Sequence, residues 1–395
     1  MDGVLISSPA GVLAVLGAVT SLFFYLEKKM GWRVFNYFPP LLFIYMTPVA
    51  LSNLDFIPNS SPVYDFFGSS VLPAFLTIML LDVDVAAAVR VMGKGIFVML
   101  LGTLGVVIGA PIAYAIVKSG LGPDAWKAFG ALAGSWIGGT GNMAGVAQMV
   151  DLDESKLEFG YALLADNIVY IVWLPIMLGS KNLATRFHKF TRVAPERLER
   201  MEAAARRMTT DKGAVEMRHL LYLTFLGFGS AALCAWLSNH ITPISYGGEE
   251  IVSASTYKIL LVTVVGITLS FTRVSQIPGT HGVAMALVYL FVARMGARAD
   301  LSDLSTSVLW FLLGAYIWIF IHGAVLLLGA RLFRVDVHTA AIASAANIGG
   351  AASAPIVAAY HKPALVPVSV LMALIGYAVG TPAAYVAALL CRFVT

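Results

Sequence analysis

The stretch GSWIGGTGNMAG at residues 134–145 interrupts an apolar segment with glycines and hydroxyls, where a membrane helix would carry leucines. A second stretch, SAANIGGAASAP at 344–355, lies near the far end of the chain and contains the same core tripeptide. Ile137-Gly138-Gly139 in the first corresponds to Ile348-Gly349-Gly350 in the second, 211 residues later. Because Gly and Ile are abundant in this chain, one shared tripeptide is weak evidence of a repeat.

The apolar segments that follow the two stretches also match each other. Tyr170 and Pro175 lie in the first, and Tyr377 and Pro382 lie at the same spacing in the second. Two matched features at nearly the same offset predict an internal duplication. Paired glycine-interrupted apolar segments in corresponding halves are the best sequence indication of a secondary transporter's binding site.

Composition places the whole chain in a membrane. Of 395 residues, 59% are hydrophobic and only 12% are charged, which is half the charge of an ordinary soluble domain. The net charge of +4 lies mostly in one loop, so we interpret it as a topology signal and expect no nucleic-acid partner. The first apolar run lacks a basic leader and a cleavage site, so it is expected to be a retained span.

The hydropathy pattern predicts an all-α integral membrane protein with about ten spans and two extra glycine-rich segments. Runs of this length cross roughly 30 Å of hydrocarbon. The predicted spans are 5–26, 35–54, 66–81, 93–117, 158–178, 219–237, 255–272, 279–297, 306–331 and 364–391. The two glycine-rich segments, 126–150 and 337–359, either cross as broken helices or dip in and return as re-entrant hairpins.

Charge favours the hairpins. The loop 181–218 carries ten Lys and Arg against five acidic residues, so we expect it on the cytoplasmic side. Re-entrant hairpins put more of the Lys and Arg on that side than crossing segments do, and they place the N-terminus outside. The first repeat, 1–180, then crosses an odd number of times, so the second repeat, 219–395, is inverted and the hairpins enter from opposite faces. Within the linker, the sequence from Pro195 predicts an amphipathic connector helix.

The hairpins carry the candidate substrate-binding residues. Broken backbone exposed to lipid is costly, so it must be buried in protein or line a cavity. Hydroxyl and amide side chains next to that backbone add donors and acceptors. The alternative is that small residues only permit close packing, as Gly134-x3-Gly138 does. The candidates are Ser135, Gly138, Gly139, Thr140, Gly141 and Asn142 in the first hairpin, with Ser344, Asn347, Gly349, Gly350 and Ser353 in the second.

Asp166 is the candidate ion-coupling residue. It lies well inside the span 158–178, in the sequence ALLADNIVYIVW. A carboxylate at that depth costs roughly 2.5 to 3.5 kcal/mol, so an intramembrane acid is a functional hypothesis by default. Asn167 beside it is expected to share a cation, with Na+ as a candidate, or to hold the carboxylate. The alternative is a protonated or helix-capping Asp.

Other polar residues are weaker candidates. His281 and His322 lie in predicted spans, but such a histidine is more often a hydrogen-bonded packing residue. Trp136 is unusual in a turn and is interpreted either as a wall for the substrate or as a plug against lipid. Asp82, Asp84, Asp300 and Asp303 are interpreted as solvated span ends, and Cys234 and Cys391 indicate neither a disulfide framework nor a metal site. No catalytic motif of a soluble enzyme is present.

Through GSWIGGTGNMAG, the ADN at 165–167 and the late NIGGAASAP, the chain resembles the uncharacterised membrane family labelled domain of unknown function 819 (DUF819), the YjcL-like proteins. More distantly it is similar in architecture to the cation-proton antiporter and anion transporter superfamily, which includes glutamate, citrate and bile-acid symporters. That resemblance implies an inverted repeat, a homodimer with a fixed scaffold, and a mobile core carrying both hairpins. Antiporters of this group carry Asn-Asp or Asp-Asp where this chain has Asp166-Asn167, and the second half has no acid there.

These observations predict a symporter of the cell membrane, driven by Na+ or H+, that moves a small anionic or zwitterionic solute by an elevator mechanism and needs no cofactor. The first alternative is a cation-proton antiporter without an organic substrate. The second is an intramembrane enzyme acting on a lipid-linked group, which would want a second acid or a histidine converging with Asp166. A passive channel is disfavoured because paired hairpins suit alternating access.

Overall fold

The structure is a computed structural model that describes residues 4–30, 35, 40–83, 92–152, 157–194, 213–246, 249–298 and 306–394. It confirms an all-α membrane protein. The helices are α1 (Pro9–Lys28), α2 (Pro40–Asn53), α3 (Pro62–Phe66), α4 (Leu72–Leu80), α5 (Gly95–Val117), α6 (Ala125–Met149), α7 (Leu157–Gly179), α8 (Ala184–Thr191), α9 (Met217–Ser238), α10 (Ala254–Ser270), α11 (Thr280–Arg298), α12 (Ser307–Phe333), α13 (Val337–Ile348), α14 (Gly350–His361) and α15 (Val366–Val394).

Short elements join some of these helices. A π-helical turn, Phe67–Val71, makes α3 and α4 continuous, and β1 (Ile244–Tyr246) pairs antiparallel with β2 (Glu249–Val252) between α9 and α10. Each of the ten predicted spans overlaps one helix or helix run. Over the described ranges, eight runs are long and apolar enough to cross a membrane, and α10 is a shorter apolar helix. The helix predicted from Pro195 lies outside the described residues.

The first glycine-rich segment, α6, folds back on itself and is called hairpin 1. Its helix is broken at Gly138 and Gly139, and Gly139 has φ of +74°, which L side chains rarely adopt. A Cβ on Gly134 would lie 2.9 Å from the Cα of Met143 in the second limb. At the base, Lys127 Nζ donates to the Asp151 carbonyl over 3.2 Å. Both ends of α6 therefore lie on the same side, as a re-entrant segment requires.

The second glycine-rich segment, α13 and α14, forms hairpin 2 in the same way. The chain reverses at Gly349 and Gly350, and Gly350 has φ of +57°. The two limbs meet again at the base, where the Nδ1 atoms of His338 and His361 are 3.0 Å apart. A residue that readily adopts a positive φ is therefore required at each tip, which explains why the two halves share Gly-Gly there.

Contacts along α5 show that the hairpins enter from opposite ends. At the start of α5, Gly95 faces Thr339 at the base of hairpin 2. Further along, Thr103 accepts a hydrogen bond from Asn347 near the tip of that hairpin. Close to the other end of α5, the Tyr114 ring packs on Phe129 of hairpin 1 at 5.3 Å.

The helices form two packed groups. The core group consists of α5–α7 and α12–α15, and it contains both hairpins; its most extensive contact is that of hairpin 1 with α15. The frame group consists of α1–α4 and α9–α11, in which α2 packs on α11 and α4 packs on α9, α10 and α11. The two groups touch mainly where α4 and α10 meet hairpin 1. This division matters for function because the candidate residues all lie in the core group.

Candidate functional site

The tips of the two hairpins meet in the interior of the core group. A Cβ on Gly350 would lie 4.0 Å from the Cα of Gly139, so the two reversals touch. The ring of Tyr377, on α15, lies beside both glycines, at 3.5 Å and 3.9 Å from the positions their Cβ atoms would take. The sequence-predicted glycines therefore converge at one point, which we call the tip junction.

Asp166 lies on α7 next to the tip junction. Ser135 Oγ of hairpin 1 donates a hydrogen bond of 2.8 Å to Asp166 Oδ2. The indole N–H of Trp136 faces the same carboxylate without reaching hydrogen-bond geometry. The Asp166 side chain stays partly accessible. A carboxylate supported by a hydroxyl and open on one side can exchange a proton or a cation.

Tyr170 lies one helical turn after Asp166 and adds another polar side chain beside the tip junction. Its ring lies 3.0 Å from the position that a Cβ on Gly349 would take. Its hydroxyl faces Ser353 and Asp166 but makes no hydrogen bond with a described residue. Ser353 Oγ donates to the Gly349 carbonyl over 2.9 Å. The residues at the tip junction or next to it that stay partly accessible are Gly139, Thr140, Asp166, Tyr170, Gly349 and Ser353.

The two hairpin asparagines are buried and tie each tip to a neighbouring helix. Asn142 Nδ2 donates to the Tyr377 carbonyl of α15 over 2.9 Å. Asn347 Nδ2 donates to Thr103 Oγ1 over 3.1 Å and to the Met99 carbonyl over 3.3 Å, both on α5. The Oδ1 atoms of both asparagines are buried without a hydrogen-bond partner among the described residues. Most buried polar groups are hydrogen-bonded, so these two unpaired acceptors are exceptions within the hairpins.

Ser344 belongs to a separate polar network in hairpin 2. Its hydroxyl accepts a hydrogen bond from Trp173 Nε1 over 2.9 Å and lies 3.0 Å from His322 Nε2. The other nitrogen of His322, Nδ1, lies 2.9 Å from the Gly102 carbonyl of α5. Because a carbonyl only accepts, His322 donates from Nδ1 and serves as a buried packing residue. The Ser344 hydroxyl therefore makes its hydrogen bonds to protein groups, as acceptor from Trp173 and as donor to His322.

Two interpretations made from the sequence need correction. Asn167 does not hold the Asp166 carboxylate, since its amide donates to the Leu163 carbonyl of its own helix over 2.8 Å. Trp136 is neither a turn residue nor a lipid plug, because it is fully buried and packs on Trp318 with ring centroids 4.6 Å apart. His281 lies exposed in the first turn of α11, in the frame group, and so is not part of the tip junction.

The predicted glycine packing coexists with the junction. Gly141 faces Phe75 and Met79 of α4, so it brings hairpin 1 against the frame group.

Asp82 follows α4, as a span end should, while Asp84, Asp300 and Asp303 lie outside the described residues. Cys234 and Cys391 are both buried.

Sequence reasoning missed the site roles of Tyr170 and Tyr377. Both were noticed only as markers of the repeat, yet each ring lies against hairpin-tip glycines. Their matched positions after the two Gly-Gly pairs were the signal that pointed to them. Within the described ranges, no group of three or more His, Cys, Asp or Glu side chains forms a metal cluster.

Comparison with known proteins agrees with this architecture. The family model described as "Protein of unknown function (DUF819)" matches residues 12–394. The chain is also 24% identical over 382 residues to the uncharacterized membrane protein YjcL of Bacillus subtilis (strain 168), covering 94% of this chain and 93% of that protein. Since the family model covers nearly the whole chain, this multi-pass membrane protein belongs to the DUF819 family.

Proposed function

We propose that the protein is a secondary active transporter that couples Na+ or H+ to the movement of a small anionic or zwitterionic solute. Ion and solute would bind at the tip junction. The observation that carries the proposal is the partly accessible Asp166 carboxylate, which accepts a hydrogen bond from Ser135 beside both hairpin tips. Intramembrane acids that face a protein interior mark ion and proton pathways.

The ends of the hairpin limbs support a zwitterionic or anionic solute. The second limb of hairpin 1 begins after Gly139, and α14 begins at Gly350, so the N-terminal amides of two helical segments open toward the junction. Helix N-termini attract negative groups. The limbs that end at the tips bring carbonyl oxygens to the same point, and these suit a cation. The site thus offers both signs of partial charge within a small space.

The division into two helix groups supports an elevator mechanism. Asp166, the hairpins and Tyr377 all belong to the core group, so ion and solute would move together with it. The frame group would stay fixed, and two copies of it would form the homodimer that the resemblance implies. We place the chain in the cell membrane with the N-terminus outside and the linker 181–218 in the cytoplasm, as its basic charge favours.

The surroundings of Asp166 favour transport over catalysis. An intramembrane hydrolase would want a second acid or a histidine next to this carboxylate. The groups that face it are instead Ser135, Trp136 and Tyr170, and His322 is held by Gly102 and Ser344. A cation-proton antiporter without organic substrate uses the same carboxylate, and it is distinguished by the experiment below.

A thermal-shift screen of the purified protein tests the proposal. Amino acids, carboxylates, nucleosides and cell-wall fragments are each added with and without Na+ at two pH values. A ligand present at a hundred times its Kd stabilises the folded state by about 2.7 kcal/mol. The test variant is Asp166→Asn, and its matched control is Asp65→Asn, which removes an exposed carboxylate on α3.

We expect a solute to stabilise the wild-type protein more strongly when the coupling ion is present. Asp166→Asn should fold but lose the ion-dependent part of this stabilisation, whereas Asp65→Asn should keep it. If Na+ and pH shift the melting temperature while no solute does, the antiporter is the correct function. If Asp166→Asn in proteoliposomes still accumulates solute against a gradient with unchanged ion dependence, coupling lies elsewhere and the proposal is wrong.

A further inference from the structure

Three histidines cluster at the base of hairpin 2, at the opposite end of that hairpin from the tip junction. His338 lies in the first turn of α13, His361 ends α14, and His188 comes from the linker helix α8. The ring centroids of His338 and His361 are 5.2 Å apart, and those of His188 and His338 are 6.2 Å apart. His338 and His361 are 7% and 2% exposed. None of the three belongs to the tip junction.

The hydrogen bonds of the pair fix where its protons lie when both rings are neutral. His361 Nε2 is 2.9 Å from the Met177 carbonyl at the end of α7, so this nitrogen must carry a proton and donate it. A neutral His361 then has a lone pair on Nδ1, which accepts from His338 Nδ1–H over 3.0 Å. The pair therefore joins both limbs of hairpin 2 to each other and to α7.

His188 makes a third connection that also depends on a lone pair. The backbone N–H of Val337, at the start of hairpin 2, donates to His188 Nε2 over 3.4 Å. Only an unprotonated nitrogen accepts such a bond. The hairpin base is thus held to α8 as well, and a proton on His188 Nε2 would remove this acceptor.

The surrounding charges are mostly positive. Lys181, in the short turn after α7, donates to the Tyr360 carbonyl over 2.7 Å, and Lys362 follows His361 directly. Among the described residues, the carboxylate that faces the cluster is that of Asp336. It caps α13 by accepting from the N–H and the hydroxyl of Thr339 at 2.9 Å and 2.7 Å. One added proton can be balanced by Asp336. Further protons would put like charges next to each other and next to the two lysines.

We propose that this histidine cluster is a proton-binding site separate from Asp166, and that protonation separates the two limbs of hairpin 2 at their base and releases the base from α8. The bond from His361 Nε2 to the Met177 carbonyl of α7 is kept, because this nitrogen carries a proton in both forms. A second proton on the pair occupies His361 Nδ1 and removes the acceptor that joins the limbs. The protons come from the aqueous phase at this end of the molecule. Acidification therefore opens this face, whether or not the tip junction carries a solute.

A cysteine at a buried position reports the opening. Ala340 on α13 is 2% exposed and lines a cavity of about 110 Å³ together with Met177 and Val337, so Ala340→Cys has room for its sulfur. Labelling of the purified full chain by a maleimide is measured at about pH 7.5 and 4.5, because burial lowers the pKa of both His338 and His361 below the ordinary histidine range. The parent protein gives the background from its two buried native cysteines.

The non-titrating variant is His338→Asn with His361→Gln. The Asn amide can donate as His338 Nδ1 does, and the Gln amide can accept from it and still donate to the Met177 carbonyl. Because thiol reactivity itself falls with pH, each variant is compared with the wild-type background at the same pH. His240→Gln, at an exposed position just after α9, is the matched control, and His361→Gln alone serves if the double variant does not fold.

Near pH 7.5 we expect the wild-type background and the Asn/Gln variant to be labelled at similar rates. Near pH 4.5 we expect the wild-type background to be labelled at least about threefold faster than the Asn/Gln variant. His240→Gln should behave like the wild type. The proposal is overturned if the Asn/Gln variant keeps the full acid response. It is also overturned if the response disappears in His188→Gln while the pair variant leaves it intact, because the pair is then not the proton site. Neither result depends on whether the protein transports a solute.

Discussion

Replacing Gly380 with alanine should disrupt the tip junction from α15, the helix that packs on hairpin 1. Gly380 lies on α15 where that helix crosses hairpin 1, one helical turn after Gly376. A Cβ at position 380 would overlap the side-chain amide nitrogen of Asn142 and would lie 2.9 Å from the Cα of Gly138. Carbon atoms prefer separations of about 3.5 to 4.0 Å. Either the Asn142 amide or the tip itself must move.

The size of the effect follows from these contacts. Moving the amide breaks the bond from Asn142 Nδ2 to the Tyr377 carbonyl, and leaving a buried partner unsatisfied costs about 1 to 3 kcal/mol. Overpacking adds about 1 to 3 kcal/mol. The better helix propensity of alanine returns about 1 kcal/mol. We expect Gly380→Ala to lose about 3 kcal/mol of stability, the sum of the central values of these three effects.

The assay is thermal unfolding of the purified variant, followed by the ligand screen described above. The matched control is Gly17→Ala on α1, where a Cβ would meet no heavy atom within 4 Å. That variant should match or exceed the wild-type melting temperature because it gains helix propensity without a clash. Gly380→Ala should melt several degrees lower and bind solute more weakly. If it melts and binds like the wild type, hairpin 1 does not pack on α15 as described, and the geometry of the tip junction is wrong.

Three further predictions test neighbouring parts of the molecule. Asn347→Ala should cost about 1 to 3 kcal/mol and weaken solute binding, because it leaves α5 acceptors without their donor; unchanged melting and binding would assign hairpin 2 to packing alone. Ser135→Ala should raise the cation concentration needed for half-maximal stabilisation about tenfold, since the charged form of Asp166 loses a hydrogen bond; an identical cation titration would contradict this. Single cysteines at Lys94 and Asp151 should be labelled from opposite sides of intact cells, with Lys94 cytoplasmic, because these residues lie at the bases of opposite hairpins.

The spans and the hairpin tips were accessible from the sequence because they follow from local rules. Long apolar runs predict helices that cross the membrane, and each predicted span overlaps an observed helix. Gly139 and Gly350 could be placed at chain reversals because positive φ favours glycine. Charge alone favours re-entry over crossing, and the contact from Lys127 to Asp151 shows that hairpin 1 folds back on itself, as re-entry requires.

The roles of polar side chains were harder to predict because they depend on contacts between distant parts of the chain. Asn142 was expected to face a solute, yet its amide nitrogen is used by a carbonyl 235 residues away. Asn167 was grouped with Asp166 because they are adjacent, but adjacent residues on a helix point about 100° apart, and Asn167 bonds back to its own helix. Sequence adjacency therefore misassigned one partner of Asp166, while Ser135, 31 residues earlier, is the actual donor.

Aligning the two glycine-rich halves of the sequence shows that the two sides of the junction differ in chemistry. Aligning Tyr170 with Tyr377 places Ala373 at the position equivalent to Asp166, and aligning the two Ile-Gly-Gly cores places Ala346 opposite Ser135. Both alanines are fully buried. The second half thus lacks the carboxylate and its hydroxyl donor together. A second acid at the junction would lie near the first, and two close carboxylates share a proton instead of both binding cations. We therefore expect one coupling-cation site per chain, and a cation titration of the purified protein that fits two independent sites, both abolished by Asp166→Asn, would refute this.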